Sequence, residues 1–303
     1  MSEISPMPQI PEKMREAVNQ RKLVIFLGAG ASRLLGCRSW EQLSHDLLDL
    51  CFKNEFINFK EKETLSKIKD NKKLISICKY LLSEKNNKAE LFNEAVRKAL
   101  EARADCLEKQ NIYAELKDFR AIFVTTNADK YLSEQFREKQ VKYELQNFLA
   151  NEIDTENIYH IHGSERDMNS IIFTVDKYIE RYNDNQFSKF IRKIFNEYTV
   201  LFIGYGLAEF ELFDYIIQKA KAGGVTEIKH FVLMGFFAGE DNLVDYEQSY
   251  FNQLGIKVIP FAKDKNGYDQ QFQIIQSWNR DIKQTSTILS STFDEITEAI
   301  KNG

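Results

Sequence analysis

The sequence predicts an α/β protein built on a parallel sheet with helices on both faces. Three observations carry this. Short, wholly apolar runs recur along the chain, amphipathic stretches of helical period separate several of them, and no proline interrupts either between Pro11 and Pro260. An apolar run without polar alternation is a strand buried on both faces. Such strands alternating with helices make parallel βαβ units.

In chain order, Met1 to about Gln9, with Pro6 and Pro8, reads as a flexible arm. Leu23-Val24-Ile25-Phe26-Leu27 reads as the first buried strand, and it breaks into Gly28-Ala29-Gly30-Ala31-Ser32. From about Trp40 to Glu115 the pattern is helical: Leu74, Cys78 and Leu81 share one face, as do Phe92, Val96 and Ala99. Lys67 to Lys73 and Asn86-Asn87 read as turns or solvated faces. The whole stretch, about 40–115, reads as a helical insert after the first strand–helix unit. Strands are then expected at Ala121–Thr125, Ile158–Ile161, Ile171–Phe173, Thr199–Ile203, His230–Met234 and Lys257–Phe261. Helical spacing joins Phe187, Ile191 and Ile194, and again Phe210, Phe213 and Ile217, and a closing helix is expected over about 290–301. The sum is a Rossmann-like sheet in a single domain spanning 1–303, which is either a whole protein or the N-terminal part of a longer one.

Bulk composition narrows the function classes. Hydrophobic residues make up 43%, charged residues 28%, and the net charge is −4, so a nucleic-acid-coating surface is disfavoured. No run approaches membrane-spanning length. Cys37, Cys51, Cys78 and Cys106 stand apart, forming neither a CxxC metal knuckle nor a disulfide framework. A reduced, cytoplasmic protein is the plain expectation.

Candidate chemistry gathers where strands end. Small residues at Gly28–Ser32 let the backbone turn sharply and let a phosphate approach its N–H groups. Arg33 occupies the third glycine position of a dinucleotide fingerprint, and no isolated acid follows at the end of a second strand, so a dehydrogenase is disfavoured. After the strand Ala121–Thr125 come Thr126, Asn127, Ala128 and Asp129. Asn127 and Asp129 there either bind a ribose, a carboxamide or a held water, or cap the helix that begins near Lys130. His162, followed by Gly163, ends another strand and is a natural general base. Alternation puts His160 on its face, so both point at one pocket or one is a core histidine. Gly204-Tyr205-Gly206 opens the strand Thr199–Ile203 into glycines, either to shape a nucleotide site or to make a tight turn.

The order of these motifs resembles the sirtuin-like domain, in its branch of bacterial anti-phage defence effectors. The resemblance runs from about Lys22 to Phe261. It rests on Gly28-Ala29-Gly30-Ala31-Ser32 as the phosphate turn, Asn127 and Asp129 as the Asn-x-Asp pair, and His162-Gly163 as the catalytic His-Gly. Gly204-Tyr205 stands as the late nucleotide-contacting turn, and Thr174 with Tyr178 as the Thr-x-x-x-Tyr stretch. The chain departs at Ala128, often aromatic in that branch, at Gly206, often serine, and at Glu209, usually aspartate. The four-cysteine zinc module of deacylating sirtuins is absent from the sequence. The resemblance implies an NADase: NAD as substrate, no zinc, His162 as base, Asn127 orienting water or a ribose hydroxyl, and Asp129 holding the nicotinamide end or the developing cation. It implies Gly28, Ala29, Gly30, Ala31 and Ser32 on the pyrophosphate, and Gly204 and Tyr205 on the adenosine side. It further implies a homo-oligomer held inactive until an assembly step or a partner, such as a HerA-type ATPase, releases it. A protein deacylase and a non-catalytic NAD or ADP-ribose sensor are the alternatives.

Overall fold

The computed structural model describes residues 4–205 and 227–284. Seven parallel strands form one sheet: β1 (Leu23–Leu27), β2 (Ile122–Thr125), β3 (Gln140–Lys142), β4 (Asn157–His160), β5 (Thr199–Ile203), β6 (His230–Phe236) and β7 (Ile256–Ala262). Their spatial order is β3-β4-β2-β1-β5-β6-β7, with β1 central. Val24 lies beside Ile122 on one side and Val200 on the other. The chain builds outward from β1 through β2 to β3 and β4, then returns to start the other half at β5. The topology therefore reverses at β1, and the crevice beyond the carboxyl ends there is where open α/β sheets bind ligands.

Alternation along each strand feeds two separate cores. Leu23, Ile25, Leu27, Phe123, Leu201, Ile203 and Leu233 face one helical layer. That layer comprises the helix Glu12–Asn19, which buries Met14, Ala17 and Val18, and the helix 270–284, which buries Ile274, Ile275, Trp278 and Ile282. Val24, Phe26, Ile122, Val124, Val200 and Phe202 face the other layer. There the helix Asn185–Glu197 buries Phe187, Phe190, Ile191, Ile194 and Phe195, the spacing read from the sequence. This is the doubly covered parallel sheet expected of continuous apolar runs.

A third core belongs to the helices between β1 and β2: Trp40–Lys53, Phe59–Leu65, Asn71–Lys79 (continued by a π-helical turn, Tyr80–Lys85), Ala89–Leu100 and Ala104–Lys109. Leu47, Leu48, Leu74, Cys78, Leu82, Phe92 and Val96 fill it. Ala128, Ile171 and Phe173 from the loops of the sheet belong to the same cluster.

Three expectations are corrected. Ile171–Phe173 is not a strand: these residues form a buried extended segment whose Ile172 N–H donates to the His162 carbonyl. β3 was not expected, because an edge strand of Gln140, Val141 and Lys142 carries no apolar run. The N-terminal arm is tied down from Ser5 onward: Ser5 bridges Phe261, Gln270 Nε2 donates to the Pro6 carbonyl, and Trp278 Nε1 donates to that of Pro8. The Phe210–Ile217 pattern, Gly206, Glu209 and the helix expected over 290–301 lie outside the described residues.

Candidate active site

The carboxyl ends of β1, β2, β4 and β5 meet at the reversal point. The turn after β1 begins at Gly28, and the short helix Ala29–Leu34 follows it. Gly28 N–H donates to the Ile203 carbonyl (3.0 Å) and Gly30 N–H to that of Gly204 (2.6 Å). A Cβ on Gly28 would lie 2.6 Å from the Gly204 carbonyl oxygen and 2.6 Å from Tyr205 Cα. The close approach these glycines permit is therefore that of the β5 turn. Ala31 is buried in the core, whereas Ala29 and Ser32 line the cleft.

The loop after β2 is fixed by its own hydrogen bonds. Thr125 Oγ1 donates to the Leu27 carbonyl (3.0 Å) and accepts from Asn127 N–H (2.9 Å). Asn127 Nδ2 donates to the Gly28 carbonyl (2.8 Å) and to the Tyr113 hydroxyl (3.1 Å). Ser32 Oγ donates to Asp129 Oδ2 (2.5 Å) and lies 3.0 Å from the Tyr113 hydroxyl. Asp129 Oδ1 accepts from Tyr131 N–H (3.1 Å) in an Asx turn that leads into the helix Tyr131–Gln135, and the residue also lines the cleft. The local reading, an Asx turn at the helix start, is the one this hydrogen bond realises.

Electrostatics sets this cluster apart. Asp129 is 1% exposed, and burial pushes its carboxyl up to about 6 against the bonds from Ser32 and Tyr131. Glu165, whose N–H donates to the Ala128 carbonyl, is pushed up to about 7 by burial and then by Asp129. Burial also carries the Tyr113 hydroxyl well above its ordinary value. Two carboxylates therefore titrate near neutrality beside a cleft lined by Ser32, Trp40, Thr126, Asn127, Asp129 and Phe173. Thr126 Oγ1 is buried there without a protein partner.

The two histidines separate. His160 Nδ1 lies 2.8 Å from the Asn127 carbonyl. A carbonyl only accepts, so His160 donates from Nδ1 and anchors the Asn127 backbone. His162 does not bond to Asn127 or Asp129; its Nε2 lies 2.7 Å from the Tyr182 hydroxyl, while Nδ1 is buried without a hydrogen-bond partner. Burial, then Arg181 and Lys72, pushes the His162 imidazole down to about 3, and burial takes His160 down to about 4. Both are neutral at pH 7. Gly163 follows at φ +84°, packed against the Ser170 carbonyl too closely for any side chain.

Gly204, at φ +62°, makes the β5 turn against Gly30 and Ala31. Tyr205 packs into the core edge-on to Phe26 (5.5 Å) and tilted on Phe202 (5.5 Å). Sequence reasoning missed Tyr113, Tyr182 and Glu165. Tyr113 lies in an unpatterned approach to β2, and Tyr182 lies 20 residues from the histidine it meets.

Residues 121–259, from the residue before β2 to the middle of β7, match the model of the SIR2-like domain. That stretch, somewhat under half of the chain, is similar to a SIR2-like domain. The NAD(+) hydrolase ThsA of Enterococcus faecium is 24% identical to this chain over 250 residues, which cover 80% of this chain and 48% of that protein. The chain thus spans about half the length of this curated relative. The SIR2-like match includes Asn127, Asp129, His162 and Gly204 and excludes the turn Gly28–Ser32. Among the described residues no group of three or more His, Cys, Asp or Glu side chains is arranged to hold a metal, and no helix is long and apolar enough to cross a membrane.

Proposed function

We propose that this chain hydrolyses NAD to nicotinamide and ADP-ribose. The observation that carries the reading is the placing of Asn127 and Asp129 after β2, and of His162 after its neighbour β4, on the carboxyl edge of the sheet beside its reversal point. Its likeness to a NAD(+) hydrolase supports it. In this reading the bond between the ribose C1′ and the nicotinamide nitrogen breaks, and the electron pair leaves with neutral nicotinamide. Positive charge gathers on the ribose until the oxygen of water bonds to C1′. His162 Nδ1 takes the proton that the water or a ribose hydroxyl releases. Asn127 orients that water or hydroxyl, and ionised Asp129 stabilises the developing cation or holds the nicotinamide end. Ala29 and Ser32 face the pyrophosphate, and Gly28, Gly30, Ala31, Gly204 and Tyr205 hold the paired turns that shape that wall. The chain acts as one domain whose insert closes the substrate cleft, in a cytoplasmic defence effector released by assembly or by a partner.

The test is nicotinamide and ADP-ribose release from NAD by wild type and by His162→Ala, at several protein concentrations, with NAD affinity measured in parallel. The expected outcome is turnover that falls at least about a hundredfold in the variant while binding persists. Rate that climbs steeply with concentration would identify activation by assembly. NAD binding without release, unchanged by the substitution, would make the domain a sensor. Release that depends on an acyl-lysine peptide would make it a deacylase.

A further inference from the structure

The geometry points to Tyr182 as the positioning residue that selects the tautomer of His162 and leaves Nδ1 as its reactive nitrogen. The inference rests on the reading of His162 as the base, and it adds which atom acts and what holds it. The helix Val175–Tyr182 directs three side chains at one turn of the chain. Arg181 Nη1 donates to the Ile161 carbonyl (2.6 Å), fixing the peptide just before His162. Tyr178 and Tyr182, one helical turn apart, stack with their rings 6.0 Å apart and 8° from parallel. The imidazole stands edge-on to both, at 5.1 Å and 5.9 Å. From the other side, Ile172 N–H holds the His162 carbonyl (2.9 Å). The ring has no freedom to swing, and its one hydrogen bond is to Tyr182.

A neutral imidazole has one N–H and one lone pair, and two arrangements satisfy a 2.7 Å contact to a hydroxyl. If Tyr182 donated, Nδ1 would carry a buried N–H with nothing to receive it. If Nε2 donates to the Tyr182 oxygen, the buried atom left over is an acceptor lone pair. Orphaned N–H groups are the rarer and costlier of the two. Only the second arrangement leaves His162 a lone pair that Tyr182 does not already engage. The charged groups facing the ring, Arg181 from the helix that carries Tyr182 and Lys72 from the helix Asn71–Lys79, both disfavour a second proton. The tyrosine therefore does by a neutral oxygen what a carboxylate does in a catalytic triad: it orients the ring and fixes its tautomer.

The experiment labels histidine with nitrogen-15 and reads the imidazole nitrogens at pH 7 in the wild type and in Tyr182→Phe. The four histidines of the chain are few enough to assign His162 by its loss in His162→Gln. The expected wild-type spectrum has a pyridine-type Nδ1 and a pyrrole-type Nε2, and Tyr182→Phe mixes the two tautomers. In the nicotinamide assay that variant loses about tenfold to a hundredfold in kcat, less than loss of the base itself, with KM within about twofold. A pyrrole-type Nδ1 in the wild type, or a tautomer unmoved by Tyr182→Phe, overturns the assignment. The spectra decide this even if no variant turns over NAD, so failure of the hydrolase reading is seen separately.

Discussion

At the scale of single residues, Asp129 shows how the site trades stability for charge. A carboxylate 1% exposed, with Ser32 and Tyr131 as its donors, still has its pKa raised to about 6 because burial outweighs both bonds. The folded chain therefore binds this proton more tightly than the unfolded chain, whose aspartate titrates near the ordinary 3.8. Stability from this group is present below pH 4, falls as the pH rises to about 6, and stays low above it. Asp129→Asn removes the titration and keeps a side chain that bonds both Ser32 and Tyr131. In urea unfolding the variant should gain on wild type by roughly 1–3 kcal/mol at pH 8. The gain should shrink towards zero by pH 4, while NAD turnover is lost. Equal stabilities at both pH values would show that Asp129 is not strained by its burial. Asn127, Asp129 and Ser32 were legible in the sequence because polar residues directly after apolar runs stand at strand ends. Tyr113 and Tyr182 were not, since each owes its place to tertiary packing that no local period records.

At the scale of elements, the glycine turns of β1 and β5 act as one unit. Their backbones interlock: Gly28 and Gly30 donate to Ile203 and Gly204, and a Cβ on Gly204 would press into the Ala31 amide. The motif was legible, but the partner of its bare backbone was not, because proximity of β1 to β5 is a property of sheet order. Gly204→Ala meets two penalties, a left-handed backbone at φ +62° and a backbone clash, and should lower stability by at least about 2 kcal/mol. Gly239→Ala is the control: Gly239 has φ +86° but open space around it, so only the backbone penalty of about 1 kcal/mol remains. Equal urea midpoints for the two variants would refute the interlock. Six of the seven strands were readable from their apolar runs. The two misreadings share a cause, since β3 pairs without being apolar and Ile171–Phe173 is apolar without pairing. Hydrophobicity reports burial, and burial is only a proxy for a ladder.

At the scale of the whole molecule, the insert and the site share a core. Ala128 stands between Asn127 and Asp129 in the chain, yet it is buried among Leu43, Leu47, Val96 and their neighbours in the insert cluster, with Ile171 and Phe173. Any shift of the insert is therefore transmitted to the loop that carries the polar pair. Trp40, at the start of the helix Trp40–Lys53, meets Phe173 edge-on at 4.7 Å across the mouth of the cleft. Bounded by the described residues, that cleft leaves about 40 Å³. Sites that enclose a ligand of dinucleotide size need several hundred. On the proposed reading, NAD enters by lifting the insert from the sheet loops and parting Trp40 from Phe173. The chain has two tryptophans, and Trp278 is buried in a different core from the one Trp40 packs against, so Trp278→Phe leaves Trp40 as the reporter. With His162→Ala added to stop turnover, saturating NAD should shift Trp40 emission to the red and raise its quenching by acrylamide. Hydrogen exchange over the Ala89–Leu100 helix should quicken in step. NAD binding that left Trp40 and that helix unchanged would mean the insert is a fixed wall and that substrate reaches Asn127 from the side of the β5 turn.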